Sequence, residues 1–441
     1  MKKIVSAMAL GALVLGAASA DLKIGINYRN GMNIYSGTFN QDGTTTKNFL
    51  NQLGYNSGKD TVKLTATGDI FDFLLQVQPT VSSDALAANA LAVGAKYGVG
   101  DGTLHGQAGW WCDGVANGNI RITTDASNFE GLDWEGNKPG SIFKERPNTF
   151  VINMADFGLD KACVTAMADY TLPTDAATIK FLGSIITDYG TKKGPNDSVN
   201  AGAWAWGVNV NAKLPGLVEI EALAKGCPKW NGLTNDDGEY AGATAFALYA
   251  MPLMVQNLKL AVGGSLGMID GLSDIAVDLR ANYKVNDSLS LTTYNNISVV
   301  KKLNGTSASE DYGQATFGRS YFGSSNSDKG SAEKGNTGLW NMLGIAYKVN
   351  STVTIRGSIE HQRMLARNES AKDKKDDTDL GSTLRFTPAV ELTATKGASI
   401  LAGVTCAMQG IGQGESDAGV KPYGENIDWY WSIPVLFRVK M

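Results

Sequence analysis

The chain ends in Trp429-Tyr430-Trp431-Ser432-Ile433-Pro434-Val435-Leu436-Phe437-Arg438-Val439-Lys440-Met441. Successive residues of an extended strand point to opposite faces. On that period Trp429, Trp431, Ile433, Val435, Phe437, Val439 and Met441 share one face, and Tyr430, Ser432, Pro434, Leu436, Arg438 and Lys440 share the other. A helical period of 3.6 would scatter both sets. This segment is therefore a strand with one continuous apolar face.

The same period runs outward through the chain. After residue 20, Leu22, Ile24, Ile26 and Tyr28 alternate with Lys23, Gly25, Asn27 and Arg29. Val62 and Leu64 lead through Gly68-Asp69 to Phe71, Phe73, Leu75 and Val77, and Leu91 to Val99 leads through Asp101-Gly102 to Leu104. Trp204 to Leu214 stops at Pro215-Gly216 and resumes at Val218. The uncharged run 241–258 also alternates, and Pro252 divides it, so it reads as two strands joined through 251–256 and not as a membrane helix. Two hairpins repeat each other: Tyr283-Lys-Val-Asn-Asp-Ser-Leu-Ser-Leu291 and Tyr347-Lys-Val-Asn-Ser-Thr-Val-Thr-Ile355. A three-residue turn in each sets Val285 opposite Leu289 and Val349 opposite Val353, keeping one face apolar. Residues 382–394 form one long strand, in which Pro388 calls for a local bulge.

Short turns are expected near 68–69, 100–102, 171–175, 215–216, 286–288, 350–352 and 396–398. Longer polar segments lie between many of them, at 29–60, 190–200, 226–239, 301–338, 362–378 and 409–426. Ser83 to Ala92 is Ala-rich and reads as a short helix within a loop. Residues 112–160 carry no clear period. The pattern gives roughly 18–20 strands.

Residues 1–20 combine Lys2 and Lys3, an apolar stretch from Ile4 to Gly16, and Ala18-Ser19-Ala20. That is the pattern of a Sec-type signal peptide cleaved before Asp21. The mature chain, 21–441, is expected to be a single domain with 37 basic and 43 acidic residues. Its acidic balance argues against nucleic acid as a partner.

Secretion, polar or small residues opposite each apolar face, aromatics near strand ends and unequal connections converge on one architecture. It is an all-β fold, a transmembrane antiparallel β-barrel with long extracellular loops in a cell outer membrane. The expected aromatic girdle is Tyr283, Tyr347, Trp204, Trp206, Trp429 and Trp431. With the apolar faces toward lipid, the candidate pore-lining basic residues are Lys23, Lys63, Lys96, Arg121, Lys213, Lys259, Arg280, Lys284, Lys348, Arg356, Arg385 and Arg438. The inward acids are Asp72, Glu219, Glu221, Asp278, Glu360 and Glu391. The basic excess suggests a mild anion preference.

The Lys-Lys leader, the first strand Asp21-Leu-Lys-Ile-Gly-Ile, the Tyr-Lys-Val-Asn turns and the Trp-Tyr-Trp terminal strand resemble the outer-membrane β-barrels of spirochaetes, the treponemal type especially. The resemblance covers the mature chain in layout. It implies a porin, a fatty-acid-type transporter or a surface antigen, and a barrel assembled by the outer-membrane insertion machinery. Met441 stands where many such proteins end in an aromatic residue.

No enzymatic chemistry is expected. Gly263-Gly-Ser-Leu-Gly267 matches a nucleophile-elbow pattern but sits in an alternating stretch. His105 and His361 have no paired ligand at helical spacing, so no metal or cofactor is implied. His361 reads as a surface residue at a strand end. Cys163 and Cys406 read as small apolar strand residues, and Cys112 and Cys227 lie near loops in a compartment that permits disulfides. Asp236-Asp-Gly-Glu239 reads as a solvated acidic loop.

The reading is a porin for passive diffusion of small hydrophilic solutes, with outer-membrane lipid as its surroundings and a homo-oligomer as a further expectation. Residues 29–60 and 79–90 are the candidates for a constriction or plug. Two alternatives stand beside it: a surface adhesin that binds host molecules through its loops, and a hydrophobic-compound transporter.

Overall fold

The computed structural model describes residues 21–52, 61–80, 85–111, 163–188, 204–227, 243–269, 272–302, 336–367, 380–395, 397–413 and 427–440. They form twenty strands in one antiparallel sheet, and no helix occurs among the described residues. In order these are β1 (Asp21–Asn40), β2 (Thr45–Gln52), β3 (Thr61–Thr67), β4 (Phe71–Thr80), β5 (Ala85–Val99), β6 (Gly102–Trp111), β7 (Cys163–Pro173), β8 (Ala177–Asp188), β9 (Trp204–Leu214) and β10 (Val218–Cys227). There follow β11 (Ala243–Pro252), β12 (Leu258–Ile269), β13 (Leu272–Lys284), β14 (Leu289–Lys302), β15 (Asn336–Lys348), β16 (Val353–Arg367), β17 (Leu380–Thr395), β18 (Ala398–Gly403), β19 (Thr405–Gln413) and β20 (Ile427–Lys440).

The sheet closes on itself. From β3 to β17 each strand pairs with its sequence neighbours. Two interrupted strands complete the ring. β2 and β3 lie end to end on one edge of β1, Tyr35 opposite Phe49 and Ile24 opposite Leu64. β18 and β19 lie end to end between β17 and β20. β20 then pairs with the other edge of β1, from Asn27 opposite Lys440 to Asn40 opposite Ile427. Counting each interrupted pair once gives 18 staves. An even number lets an antiparallel ring close without a mismatched edge.

The turns are built as the sequence indicates. Val285 N–H donates to the Leu289 carbonyl at 2.9 Å, and the Asn286 side-chain oxygen accepts from the N–H groups of Ser288 and Leu289 at 2.8 Å. The twin repeats this with Val349, Val353 and Asn350 at the same distances. Gly100 and Gly216 hold φ of +58° and +73°, the left-handed region that glycine enters without cost. Eight such short turns, of two to five residues, occupy the end that also holds the starts of β1 and the end of β20. The nine connections at the opposite end run from two to 51 residues.

Four expectations are corrected. Residues 29–40 and 45–52 are strand, not loop, because β1 shifts register between Asn33 and Tyr35 and the alternation changes phase there. Residues 79–80 and 85–90 likewise belong to the wall, so the described parts of both plug candidates are staves. Ala85 to Ala92 are strand because β4 and β6 supply ladder partners that outweigh the weak β propensity of alanine. His361 lies within β16, half-buried, and not at its end.

Pro388 sits in a central stave with an unbroken register to β16, Gly357 opposite Pro388. Its bulge lies on the facing side. Val404 N–H donates to the Pro388 carbonyl at 3.0 Å, but proline has no N–H to return the bond. The ladder breaks at Val404, and β18 and β19 are the two halves.

Candidate functional site

The two faces of the ring differ in chemistry. On the outer face Leu343, Ile345, Ile355, Ile359, Val277, Phe246 and Leu248 are all exposed. On the inner face Glu221 is fully buried, and Glu360, Arg385 and Asp169 are nearly so. This reverses the burial order of a water-soluble domain. Strand register carries the assignment: in β17, Thr383, Arg385, Thr387 and Ala389 are buried while Phe386, Pro388 and Val390 are exposed.

Inner-face charges are arranged as cross-strand pairs. Arg385 and Glu360 are opposed in register and joined by a hydrogen-bonded ion pair from Nη2 to Oε2. Arg356 Nε donates to Glu391 Oε2 at 2.6 Å. Asn209 and Asn211 of β9 donate to Glu221 and Glu219 of β10 at 2.8 and 3.1 Å. Such pairs satisfy the carboxylates that the wall buries.

A second cluster spans β4, β6, β7 and β8. His105 Nδ1 lies 2.9 Å from Asp169 Oδ2, and its Nε2 lies 2.9 Å from Asp72 Oδ1. Gln107 Nε2 donates to Asp72 Oδ2 at 3.1 Å, and Lys180 Nζ lies 3.4 Å from Asp169 Oδ1. Lys96 is the register partner of His105 across β5 and β6. Sequence reasoning weighed His105 only as a general base or a metal ligand and missed this cluster. The signal was available: Asp72, His105 and Asp169 each stand two to five residues from a tight turn, on the polar phase of their strands.

Register places Lys23, Lys63, Lys96, Lys213, Lys259, Arg280, Lys284, Lys348, Arg356, Arg385 and Arg438 on the inner face. Lys23, Lys213, Lys259, Lys284 and Lys348 are exposed, whereas Arg385 is buried. Lys284 Nζ also lies 3.8 Å from Asp287. Arg121 lies outside the described residues, as do residues 1–20, Cys112, Asp236–Glu239 and Met441. Cys406 is a free thiol on the outer phase of β19.

Tyr283 and Tyr347 stand exposed on the outer face at the tight-turn end. Trp206 and Trp429 stand exposed near the other end, and Trp204 begins β9 there. Trp431 packs against Tyr35, ring centroids 4.5 Å apart, and lies over Gly37.

Fold and walls together define a closed antiparallel β-barrel, apolar outside and polar inside. No family model and no curated protein sequence matches the chain. Among solved structures it is similar to a loop-deletion form of OmpT, an outer membrane protein of Vibrio cholerae, at 10% identity and a TM-score of 0.44, over 96% of this chain and 100% of that one. It is also similar to an anion-selective porin from Comamonas acidovorans (10% identity, TM-score 0.42, 96% and 100% covered). A third is the outer membrane channel DcaP of Acinetobacter baumannii (12% identity, TM-score 0.38, 96% and 97% covered). Similarity this low assigns neither a solute nor an activity.

Proposed function

We propose that this chain is a porin-type channel of the outer membrane, passing small hydrophilic solutes by diffusion with a mild preference for anions. One observation carries the reading: 18 staves close into a ring whose buried face is polar and whose exposed face is apolar. Staves about 4.8 Å apart and tilted about 40° give a backbone radius of roughly 18 Å, wide enough for an aqueous path once side chains line the wall. Such a channel needs no catalytic residue; lumen width and charge set what passes.

The anion preference is argued from the inner-face basic residues, which outnumber the inner-face acids. Arg356 and Arg385 are matched by Glu391 and Glu360, so the preference rests on the remaining lysines and arginines. For the expected homo-oligomer, the supporting observation is polar. Asn295, Asn341 and His361 follow one another in register on the outer face between Leu279 and Leu384, where a second copy would offer the donors and acceptors that lipid lacks. The treponemal kinship rests on the sequence resemblance.

Single-channel recording of the refolded mature protein in a planar bilayer under a KCl gradient tests the reading. Stable conductance steps with a reversal potential on the anion side are expected. Folded, inserted protein that gives no steps refutes the channel, and clear cation selectivity refutes the preference.

A further inference from the structure

The tight-turn end of the barrel is uneven. Most of its turns have polar tips: Gly68-Asp69-Ile70, Gly100-Asp101, Thr174-Asp175-Ala176, Asn286-Asp287-Ser288 and Asn350-Ser351-Thr352. Two neighbouring turns do not. β9 and β10 are joined by Pro215-Gly216-Leu217, and β11 and β12 by Leu253-Met254-Val255-Gln256-Asn257. Neither tip carries a charge. Leu214, Leu217, Leu253, Met254 and Val255 are all exposed, Met254 most of all at 68%.

The two tips form one surface. Leu253 N–H donates to the Leu217 carbonyl at 2.8 Å, and Leu217 N–H donates to the Leu214 carbonyl at 3.0 Å. Lys284 N–H donates to the Asn257 carbonyl at 2.9 Å, which sets Asn257 level with the last residue of β13 and leaves Met254 and Val255 beyond it. Backbone bonds thus fix where these apolar side chains stand.

The same surface continues the lipid-facing wall. Outer-phase residues run Val208, Val210, Ala212 and Leu214 on β9, Phe246, Leu248, Ala250 and Pro252 on β11, and Leu258, Leu260 and Val262 on β12. No polar residue interrupts them before the tips. In the twin hairpins the outer phase passes Tyr283 and Val285, or Tyr347 and Val349, and an Asn-led polar tip follows. Tyrosine marks a water–lipid boundary there. No outer-phase aromatic stands at this end of β9 to β12.

We propose that the paired tips 215–217 and 253–255 are an interfacial anchor, seated at the headgroup–acyl boundary of the phospholipid leaflet at the tight-turn end. Continuity decides the occupant: exposed apolar surface that begins on the hydrocarbon-facing wall and ends without a polar rim meets lipid first. The barrel is thereby sunk deeper on its β9–β12 side than on its β13–β16 side. With no charge in either tip, the anchoring does not select anionic headgroups. The proposal rests on the reading of the barrel as membrane-embedded, and a label on the outer wall tests that reading separately.

The experiment measures spin-label depth on the full mature chain refolded into phosphatidylcholine vesicles, in a Cys112→Ala, Cys163→Ala, Cys227→Ala, Cys406→Ala background. Nitroxides are placed through Met254→Cys at the anchor, Ser351→Cys at a polar tip and Val277→Cys on the outer wall. Collision rates with oxygen and with a water-soluble nickel chelate give the depth of each. The Met254 label is expected about 5–10 Å inside the headgroup level, the depth of an apolar face lying in the interface, with Ser351 in water and Val277 in hydrocarbon. Leu253→Ser with Val255→Ser moves the Met254 label out to the level of Ser351. Vesicles that contain phosphatidylglycerol leave the three depths unchanged. Heat-modifiable gel migration confirms that each variant is folded. A Met254 label in water beside a Val277 label in hydrocarbon overturns the anchor alone, and a Val277 label in water overturns the membrane reading with it. Insertion of Met254 only in the presence of phosphatidylglycerol overturns the apolar basis of the anchor.

Discussion

Replacing Glu360 by Ala removes one partner of a pair in which both side chains are almost fully enclosed, 2% exposed for Glu360 and 4% for Arg385. The Arg385 guanidinium then keeps its charge but loses a carboxylate with which it is in direct register. Breaking a buried ion pair from one side costs about 3–5 kcal/mol. The wall borders the interior of a wide ring, so the lower end, about 3 kcal/mol, applies, or roughly two decades in the unfolding equilibrium. Removing both partners leaves no stranded charge, so Glu360→Ala with Arg385→Met costs less than the sum of the single changes. A coupling of about 2 kcal/mol is expected. The assay is urea unfolding of the refolded barrel in micelles, followed by tryptophan fluorescence, for the parent and the three variants. Coupling below about 0.5 kcal/mol would refute the claim that the inner wall is held by cross-strand ion pairs.

Two further outcomes follow from local geometry. A Cβ at Gly37 would meet the Trp431 indole at 2.8 Å, so Gly37→Val displaces the ring from the β1–β20 closure; a loss of about 1–3 kcal/mol is expected in the same unfolding assay. Asn286 and Asn350 each accept two backbone N–H groups in matching turns, so Asn286→Ala and Asn350→Ala each lower stability by about 1 kcal/mol. Clearly unequal losses at the two turns would show that their likeness in sequence is not likeness in energetics.

What could be read from sequence was whatever kept strict phase. Trp429 to Lys440 alternates without interruption, and on β20 Trp429, Ile433 and Phe437 are exposed on the outer phase while Ser432, Pro434 and Leu436 are buried on the inner. The twin hairpins were legible down to partner residues because Asn286 and Asn350 fix the turn locally. Phase slips hid the rest. The register shift beyond Asn33 turns a 20-residue strand into what reads as strand followed by polar loop. Alanine-rich β5 carries no strong signal of its own, and its strand state comes from partners on both sides. The His105 cluster joins residues separated by 33 and 64 positions, so it becomes visible only after register is known. The inner-phase placement of the basic residues needed only the period, whereas the match of Arg356 to Glu391 is diagonal and needed the fold.

The reversed burial order also decides what surrounds the barrel. A soluble monomer rarely exposes a contiguous apolar patch above a few hundred Å². Here Ile275, Val277, Leu279 and Tyr283 lie exposed along β13, with Leu343, Ile345 and Tyr347 on β15 and Ile355 and Ile359 on β16 beside them. Such staves, side by side around a closed ring, make the outer face largely apolar. Hydrocarbon accepts that face only if every backbone group is bonded within the protein, which an open sheet cannot arrange at its edges. Pro388 shows how narrow the tolerance is. Its one missing donor is accommodated by splitting the facing stave at Val404, while the register toward β16 stays intact and β20 still spans both halves. Closure, apolar exterior and paired interior are thus a single solution to the same constraint.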